Sequence, residues 1–170
     1  MPGVRLIPID RDGTAADARD ELAEPMSAAM RKTAEHYRRS GFEPPWIGYL
    51  ALADPANVVG LCSFKSAPND HRVEIAYFTL PAFEGQGFAT AMATELVAVA
   101  HRTDPRVQIT AQTLPQRNAS HRVLEKLGFH HAATLEHPED GTVWEWRMME
   151  TGMESCRAAL DPAVDVGTIQ

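Results

Sequence analysis

Gly85 and Gly87 stand where the apolar run Arg72-Val73-Glu74-Ile75-Ala76-Tyr77-Phe78-Thr79-Leu80 gives way to a stretch with helical spacing. Two glycines within three residues permit positive φ angles that aim successive backbone N–H groups into one concavity. The first turn of the following helix adds donors without intrahelical partners and the positive end of the helix dipole. Such a place favours an anion by roughly 0.3–1 kcal/mol, or about 2 when partly buried. A pyrophosphate, with several oxygens, suits it better than a single carboxylate. Taken alone, the turn is equally well a tight strand-to-helix connection. Two other phosphate-binding readings fail on the residues. A dinucleotide turn wants a third glycine where Thr90 stands, and an acid closing the next strand, Ile109-Thr110-Ala111-Gln112-Thr113. A P-loop wants Gly-Lys-Ser/Thr, which does not follow.

Other side chains offer less. Cys62 lies in an apolar, strand-like run and reads as a small buried hydrophobe, and Cys156 lies in a polar tail. Neither has a His or Cys at metal-ligand spacing, and the pair is no disulfide framework. His130 and His131 lack a third ligand, so no metal is expected. Trp46, Trp144 and Trp146 serve either a pocket wall or the core, with the core the expected place for at least two.

The elements that must position these residues follow from periodicity. Val4–Ile9 reads as a strand stopped by Asp10-Arg11-Asp12-Gly13, and Ala15 to Ala23 as a weak short helix. Pro25 to Arg39 reads as a helix, with Pro25 in its first turn and Met26, Ala29, Met30, Thr33, Ala34 and Tyr37 at three- and four-residue steps. Trp46–Leu52, Asn57–Phe64 and Arg72–Leu80 form an antiparallel meander around turns at 53–56 and 67–70. After the glycines, Phe88, Met92, Leu96 and Val99 share one face of a helix. Val107–Thr113 alternates as a strand. Asn118 to Leu127 is a short helix ending at Gly128 in a left-handed cap position. Ala132–Leu135 and Thr142–Met148 close the chain as a strand pair around Glu139-Asp140-Gly141. This order predicts an α/β (α+β) domain, a mixed and mostly antiparallel sheet of six to seven strands with helices on both faces. The helix after the glycines must cross between two strands, which makes those strands parallel neighbours.

The 170 residues are read as one domain over 1–150 and a partly ordered tail over 151–170. A formal charge of −7 argues against nucleic acid as a partner. No apolar stretch is long enough to cross a bilayer, and none follows Met1–Arg5 as a signal-peptide core, so a cytoplasmic address is expected.

At this point two motifs resemble a known family. Thr79-Leu80-Pro81-Ala82-Phe83-Glu84-Gly85-Gln86-Gly87-Phe88-Ala89 is similar to the acetyl-CoA-binding signature of the Gcn5-related N-acetyltransferases (GNAT). Asn118-Ala119-Ser120-His121-Arg122-Val123-Leu124-Glu125-Lys126-Leu127-Gly128-Phe129 resembles that family's second hallmark, and together with Glu74-Ile75-Ala76-Tyr77 points to the branch containing the ribosomal-protein alanine acetyltransferases. The resemblance covers about residues 46–148, and the first 45 only by element order. It implies a GNAT fold and an enzyme that moves an acetyl group from acetyl-CoA to a primary amine, on a peptide or a small molecule, in a ternary complex. It also implies cofactor contacts at Gly85, Gln86, Gly87, Phe88, Ala89 and Thr90, backbone pairing of Tyr77 and Thr79 with the pantetheine arm, and a pantetheine contact from Asn118. Asn118 serves equally as a helix N-cap. Glu84 departs from the signature, where Arg or Gln is usual. A homodimer is a family-level expectation.

Catalysis needs a neutral amine and help for the leaving thiolate. Many relatives use a Tyr in the last helix as general acid; Leu124 holds that position here, and the resemblance offers the role to Ser120, which in a first helical turn serves also as a local backbone partner. Glu74 is the candidate base, on the strand face shared with Ala76 and Phe78, with Glu136, His137 and Glu139 on the last hairpin as alternatives. An α-amine of pKa 7.7–8.0 is roughly 10–20% neutral at pH 7, against about 0.04% for a lysine side chain. The absence of a strong base therefore leans towards a low-pKa amine. A non-catalytic acyl-CoA-binding domain on the same scaffold is the alternative reading.

Overall fold

The computed structural model describes residues 2–16, 22, 24–53 and 57–149. Seven strands lie in one sheet: β1 (Arg5–Pro8), β2 (Gly48–Ala53), β3 (Asn57–Phe64), β4 (Arg72–Thr79), β5 (Gln108–Thr113), β6 (Phe129–His137) and β7 (Gly141–Met148). Their spatial order is β1-β2-β3-β4-β5-β7-β6. Every neighbouring pair is antiparallel except β4 and β5, which are parallel. The helices are α1 (Met26–Ser40), α2 (Phe88–Thr103) and α3 (Ala119–Lys126), with a 3-10 turn at Pro81–Phe83. As the chain order requires, α2 is the crossover between the two parallel strands.

Alternation along the strands assigns the helices to opposite faces. A Cβ added at Gly60 of β3 would meet Met92 of α2, whereas one added at Gly48, paired with Ser63 of β3, would meet Thr33 and Tyr37 of α1. Residues 60 and 63 of one strand point to opposite faces, so α1 and α2 flank the sheet from two sides. Helix α3 joins α2, because its His121 stacks on Trp144 and Trp146 of β7. Between sheet and α2 lie the fully buried Val73, Ile75, Met92, Leu96, Val97 and Ile109. On the other face, Tyr37 accepts from the Gly48 N–H at 2.8 Å and donates to the Ile9 carbonyl at 3.0 Å, fixing α1 over β2.

Several boundaries differ from the expectation. β2 starts at Gly48 rather than Trp46, because Trp46 and Ile47 donate backward to Glu43 and Pro45 in a turn. β6 begins directly after Gly128, three residues earlier than Ala132. A bulge between His131 and Ala133 breaks its alternation and hides the start of the strand from a period-two search. Pro25 precedes α1 as its N-cap residue instead of opening the first turn. The expected helix at Ala15–Ala23 and the tail over 151–170 fall wholly or largely outside the described residues. Among the described residues no helix is long and apolar enough to cross a membrane.

Candidate active site

The parallel strands β4 and β5 share four rungs, from Arg72↔Gln108 to Ile75↔Ala111. Beyond the last rung, β4 continues through Ala76, Tyr77, Phe78 and Thr79, and β5 through Gln112 and Thr113, without pairing to each other. The sheet therefore opens between them. The β4 side of this gap presents strand backbone with no ladder partner, the kind of edge onto which an extended chain adds.

Helix α3 roofs the gap on the α2 side. Tyr77 shares a face with Ile75, and its hydroxyl donates to the Ser120 carbonyl at 3.3 Å. Burial pushes the Tyr77 phenol well above its usual pKa, and the hydrogen bond with Ser120 opposes part of that rise. Asn118 is the N-cap of α3: its side-chain oxygen accepts from the Ser120 N–H at 2.9 Å. Ser120 is half-buried in the first helical turn, and Leu124, one turn on, is fully buried hydrocarbon. Next to Ser120, the buried His121 brings its Nε2 to 3.0 Å from Thr113 Oγ1 and 3.3 Å from the Leu114 carbonyl. Trp146 Nε1–H donates to the same Thr113 oxygen at 2.9 Å. The first turn of α3 thus bonds to both lips of the gap.

The glycine turn lies at the end of β4. Gly85 has φ 72° and Gly87 has φ 88°, and Gly87 is the N-cap residue of α2 with no side-chain cap and no acidic residue in the first turn. Pro2 leans on this turn, since a Cβ at Gly87 would stand 3.0 Å from its Cδ. The Gln86 amide folds back to donate to the Ala82 carbonyl at 3.1 Å. Phe88 packs edge-on against Phe83, so its ring belongs to the core and only its backbone faces the turn. Ala89 and Thr90 are half-buried in the first turn, where the N–H groups lack intrahelical partners. Thr79 Oγ1 is buried without a hydrogen-bond partner among the described residues. Glu84 is exposed.

Glu74, Ala76 and Gln112 of the opposite face border a cavity of about 570 Å3 that reaches Ile75 and Thr113 at the gap and is completed by His36, Lys65 and Leu114 and by His137, Glu139, Asp140 and Val143 of the β6–β7 hairpin. Alternation puts Glu74 on this face, away from Tyr77. Burial raises the Glu74 pKa; Lys65 and His137 oppose the rise and Glu145 adds to it. Glu145 itself is held by Arg147 at 2.7 Å. Glu136 is outside this group, accepting from the Thr142 hydroxyl on the exposed hairpin. His137 Nδ1 faces both the N–H groups of Glu139 and Asp140 and the Asp140 carboxylate, at 3.2–3.3 Å.

Ser120 therefore stands over the gap on the α2 side, while Glu74 lines the cavity from the opposite face, one rung before the last pair, and the glycine turn follows β4 after the 3-10 turn. The tryptophans do not line the cavity: Trp46 packs on Phe64, Trp146 is buried, and Trp144 lies between His121 and His131. No group of three metal-ligating side chains occurs among the described residues. The sequence reading missed Thr113, His121, Gln112, Lys65 and Asp140. Only the polar alternation of β5 hinted at Gln112, and nothing in the chain pairs His121 with Thr113.

A split mixed sheet, entered by a glycine turn at a helix N-terminus, defines an acyltransferase-like α/β domain. The profile of the acetyltransferase (GNAT) domain matches residues 7–130, and the chain belongs to the GNAT acetyltransferase family. That family uses acetyl-CoA. No curated protein matches the sequence significantly. Among solved structures, a spermidine N-acetyltransferase chimera from Vibrio cholerae and hSSAT is 14% identical, covering 89% of this chain and 98% of its own, with a TM-score of 0.63. Mutant forms of the spermidine/spermine N-acetyltransferase SpeG from Vibrio cholerae are 14% identical over 91% of this chain and 98% of theirs, at 0.64. A GNAT-family acetyltransferase from Bacillus anthracis is 17% identical over 77% and 76%, at 0.58. At these identities the likeness is one of fold.

Proposed function

We propose that the protein transfers the acetyl group of acetyl-CoA to a primary amine by direct attack in a ternary complex. The observation that carries this reading is the parting of β4 and β5 after Ile75↔Ala111, on the strand that leads through the 3-10 turn Pro81–Phe83 into the Gly85–Gly87 turn. The residues fit an acyl-CoA. Two glycines at positive φ and an uncapped helix N-terminus suit a pyrophosphate. An unpaired strand edge and the orphaned Thr79 hydroxyl suit a chain of amides. When bound, acetyl-CoA supplies the activated acyl group.

In this reading the backbone N–H groups of Gly85, Gln86, Gly87, Phe88, Ala89 and Thr90 hold the pyrophosphate. The backbone of Tyr77 and Thr79 pairs with the pantetheine arm. Asn118 gives its oxygen to the helix cap and its amide N–H to the ligand. Glu74, whose raised pKa makes its carboxylate a stronger base, takes the proton of the incoming ammonium directly or through water. Ser120, across the gap, relays to the departing thiolate the second proton that the amine nitrogen sheds on becoming an amide, and so ends with its own hydroxyl intact. The amine enters through the cavity on the Glu74 face, where Glu139 and Asp140 outnumber Lys65 and favour a cationic acceptor. The spermidine enzymes of similar fold support an amine of small size; the Asn118–Phe129 motif supports a peptide α-amine of the ribosomal-protein branch.

The test is release of free thiol from acetyl-CoA with a panel containing spermidine, lysine side-chain peptides and peptide α-amines. Turnover with at least one amine is expected. Stabilisation by acetyl-CoA without thiol release under any amine would replace this reading with a non-catalytic acyl-CoA-binding domain.

A further inference from the structure

Thr113 ends β5 at the gap and has no partner on β4. A threonine hydroxyl has two acceptor lone pairs and one hydrogen to give. Trp146 Nε1–H, a donor only, occupies one lone pair at 2.9 Å from the β7 flank. His121 Nε2 lies 3.0 Å away from the α3 side, and the same nitrogen is 3.3 Å from the Leu114 carbonyl. A carbonyl oxygen only accepts. If Nε2 carried its lone pair here, it would face that oxygen repulsively. With Nε2 protonated, one N–H serves both Thr113 and Leu114, and both contacts become favourable. His121 is buried and stacked on Trp144 and Trp146, so the ring cannot readily turn away.

Both lone pairs of Thr113 Oγ1 are then filled, one from β7 and one from α3. The hydroxyl hydrogen is left without a protein acceptor, on a residue that lies beyond the last β4–β5 rung and lines the cavity beside the gap. We propose that Thr113 is a hydrogen-bond donor fixed in the β4–β5 gap, aimed at a carbonyl oxygen of the acyl-CoA arm, with His121 and Trp146 as the positioning residues that orient it. This rests on the acyl-CoA reading of the gap. Donors that feed a hydroxyl polarise it and strengthen the bond it gives. The Thr113–Trp146–His121 arrangement is satisfied in every protein contact except that one hydrogen, which marks a ligand.

The imidazole nitrogens of the wild-type protein, followed by long-range 1H–15N correlation near neutral pH, report the tautomer of His121. A protonated Nε2 is expected, and a bare Nε2 overturns the proposal whatever the variants do. Isothermal titration with acetyl-CoA and with CoA then compares wild type, Thr113→Val and Thr113→Ser. Thr113→Val should bind about three- to tenfold more weakly, the loss of one hydrogen bond, and Thr113→Ser should restore most of it. Equal losses for both ligands place the bond on a pantetheine amide, and a loss for acetyl-CoA alone places it on the thioester. A folded Thr113→Val that binds both like wild type sinks the proposal. A wild type that binds neither ligand instead sinks the acyl-CoA reading, and the tautomer result distinguishes the two failures.

Discussion

The Tyr77 hydroxyl donates to the Ser120 carbonyl across 3.3 Å and so ties β4, one lip of the gap, to the helix that roofs it. The bond fixes how far α3 stands from the unpaired part of β4. Tyr77→Phe keeps the ring and deletes only this tie. The expected result is a stability loss of about 0.5–1.5 kcal/mol, together with a weaker acetyl-CoA complex. Thermal unfolding and titration check both; unchanged affinity would detach the tie from the ligand.

The two glycines of the turn should respond differently to alanine. Both have positive φ, which costs an L-residue roughly 1–2 kcal/mol. At Gly85 the new Cβ meets nothing within 4 Å, whereas at Gly87 it meets Pro2 at 3.0 Å. Gly87→Ala should therefore destabilise more than Gly85→Ala, and both should weaken acetyl-CoA binding. Parallel denaturant titrations read the difference; equal stability losses would mean that Pro2 gives way freely.

Asn118 has two separable duties. Asn118→Ala removes the cap to Ser120 and should cost about 1 kcal/mol of stability. Asn118→Asp keeps an acceptor oxygen for the cap and loses the amide donor. Its stability should stay near wild type while acetyl-CoA affinity falls. An aspartate variant that binds as tightly as wild type would leave Asn118 with capping alone.

Glu74 predicts opposite effects on stability and turnover. Burial raises its folded pKa above the unfolded value, so between the two the folded state binds more protons than the unfolded state. Its contribution is full below the unfolded pKa and is lost as pH rises through the folded one. Glu74→Gln should hence be neutral near about pH 4 and stabilising at neutral pH, measured as the shift in melting temperature. The same variant should lower kcat and remove the acidic limb of the pH–rate profile, which in wild type lies above the ordinary carboxylate range of about 4.3. An unchanged limb would clear Glu74 of base duty.

Much of this was legible in the chain. The glycine turn, the Asn118 cap and the Gly128 end of α3 are local devices, set by the φ freedom of glycine and by a side chain reaching two residues along its own backbone. The parallel pairing of β4 and β5 followed from a helix that had to lie between them. The face of Glu74 followed from alternation. Where alternation was interrupted, at the His131/Ala133 bulge, the first three residues of the strand went unseen.

The sequence by itself determined the order of elements, the family and the glycine turn, because each depends on residues close together in the chain. Only the tertiary structure decided where β4 and β5 part and that Tyr77 meets Ser120 across 43 positions. It also decided that Trp146 and His121 converge on one hydroxyl of Thr113, 33 and 8 positions away. Such contacts depend on how strand register, helix seating and ring stacking fit together in space. No periodicity in the chain encodes that fit. The glycine turn tells what kind of ligand to expect, but the geometry of the gap decides which hydrogen atoms a ligand there would meet.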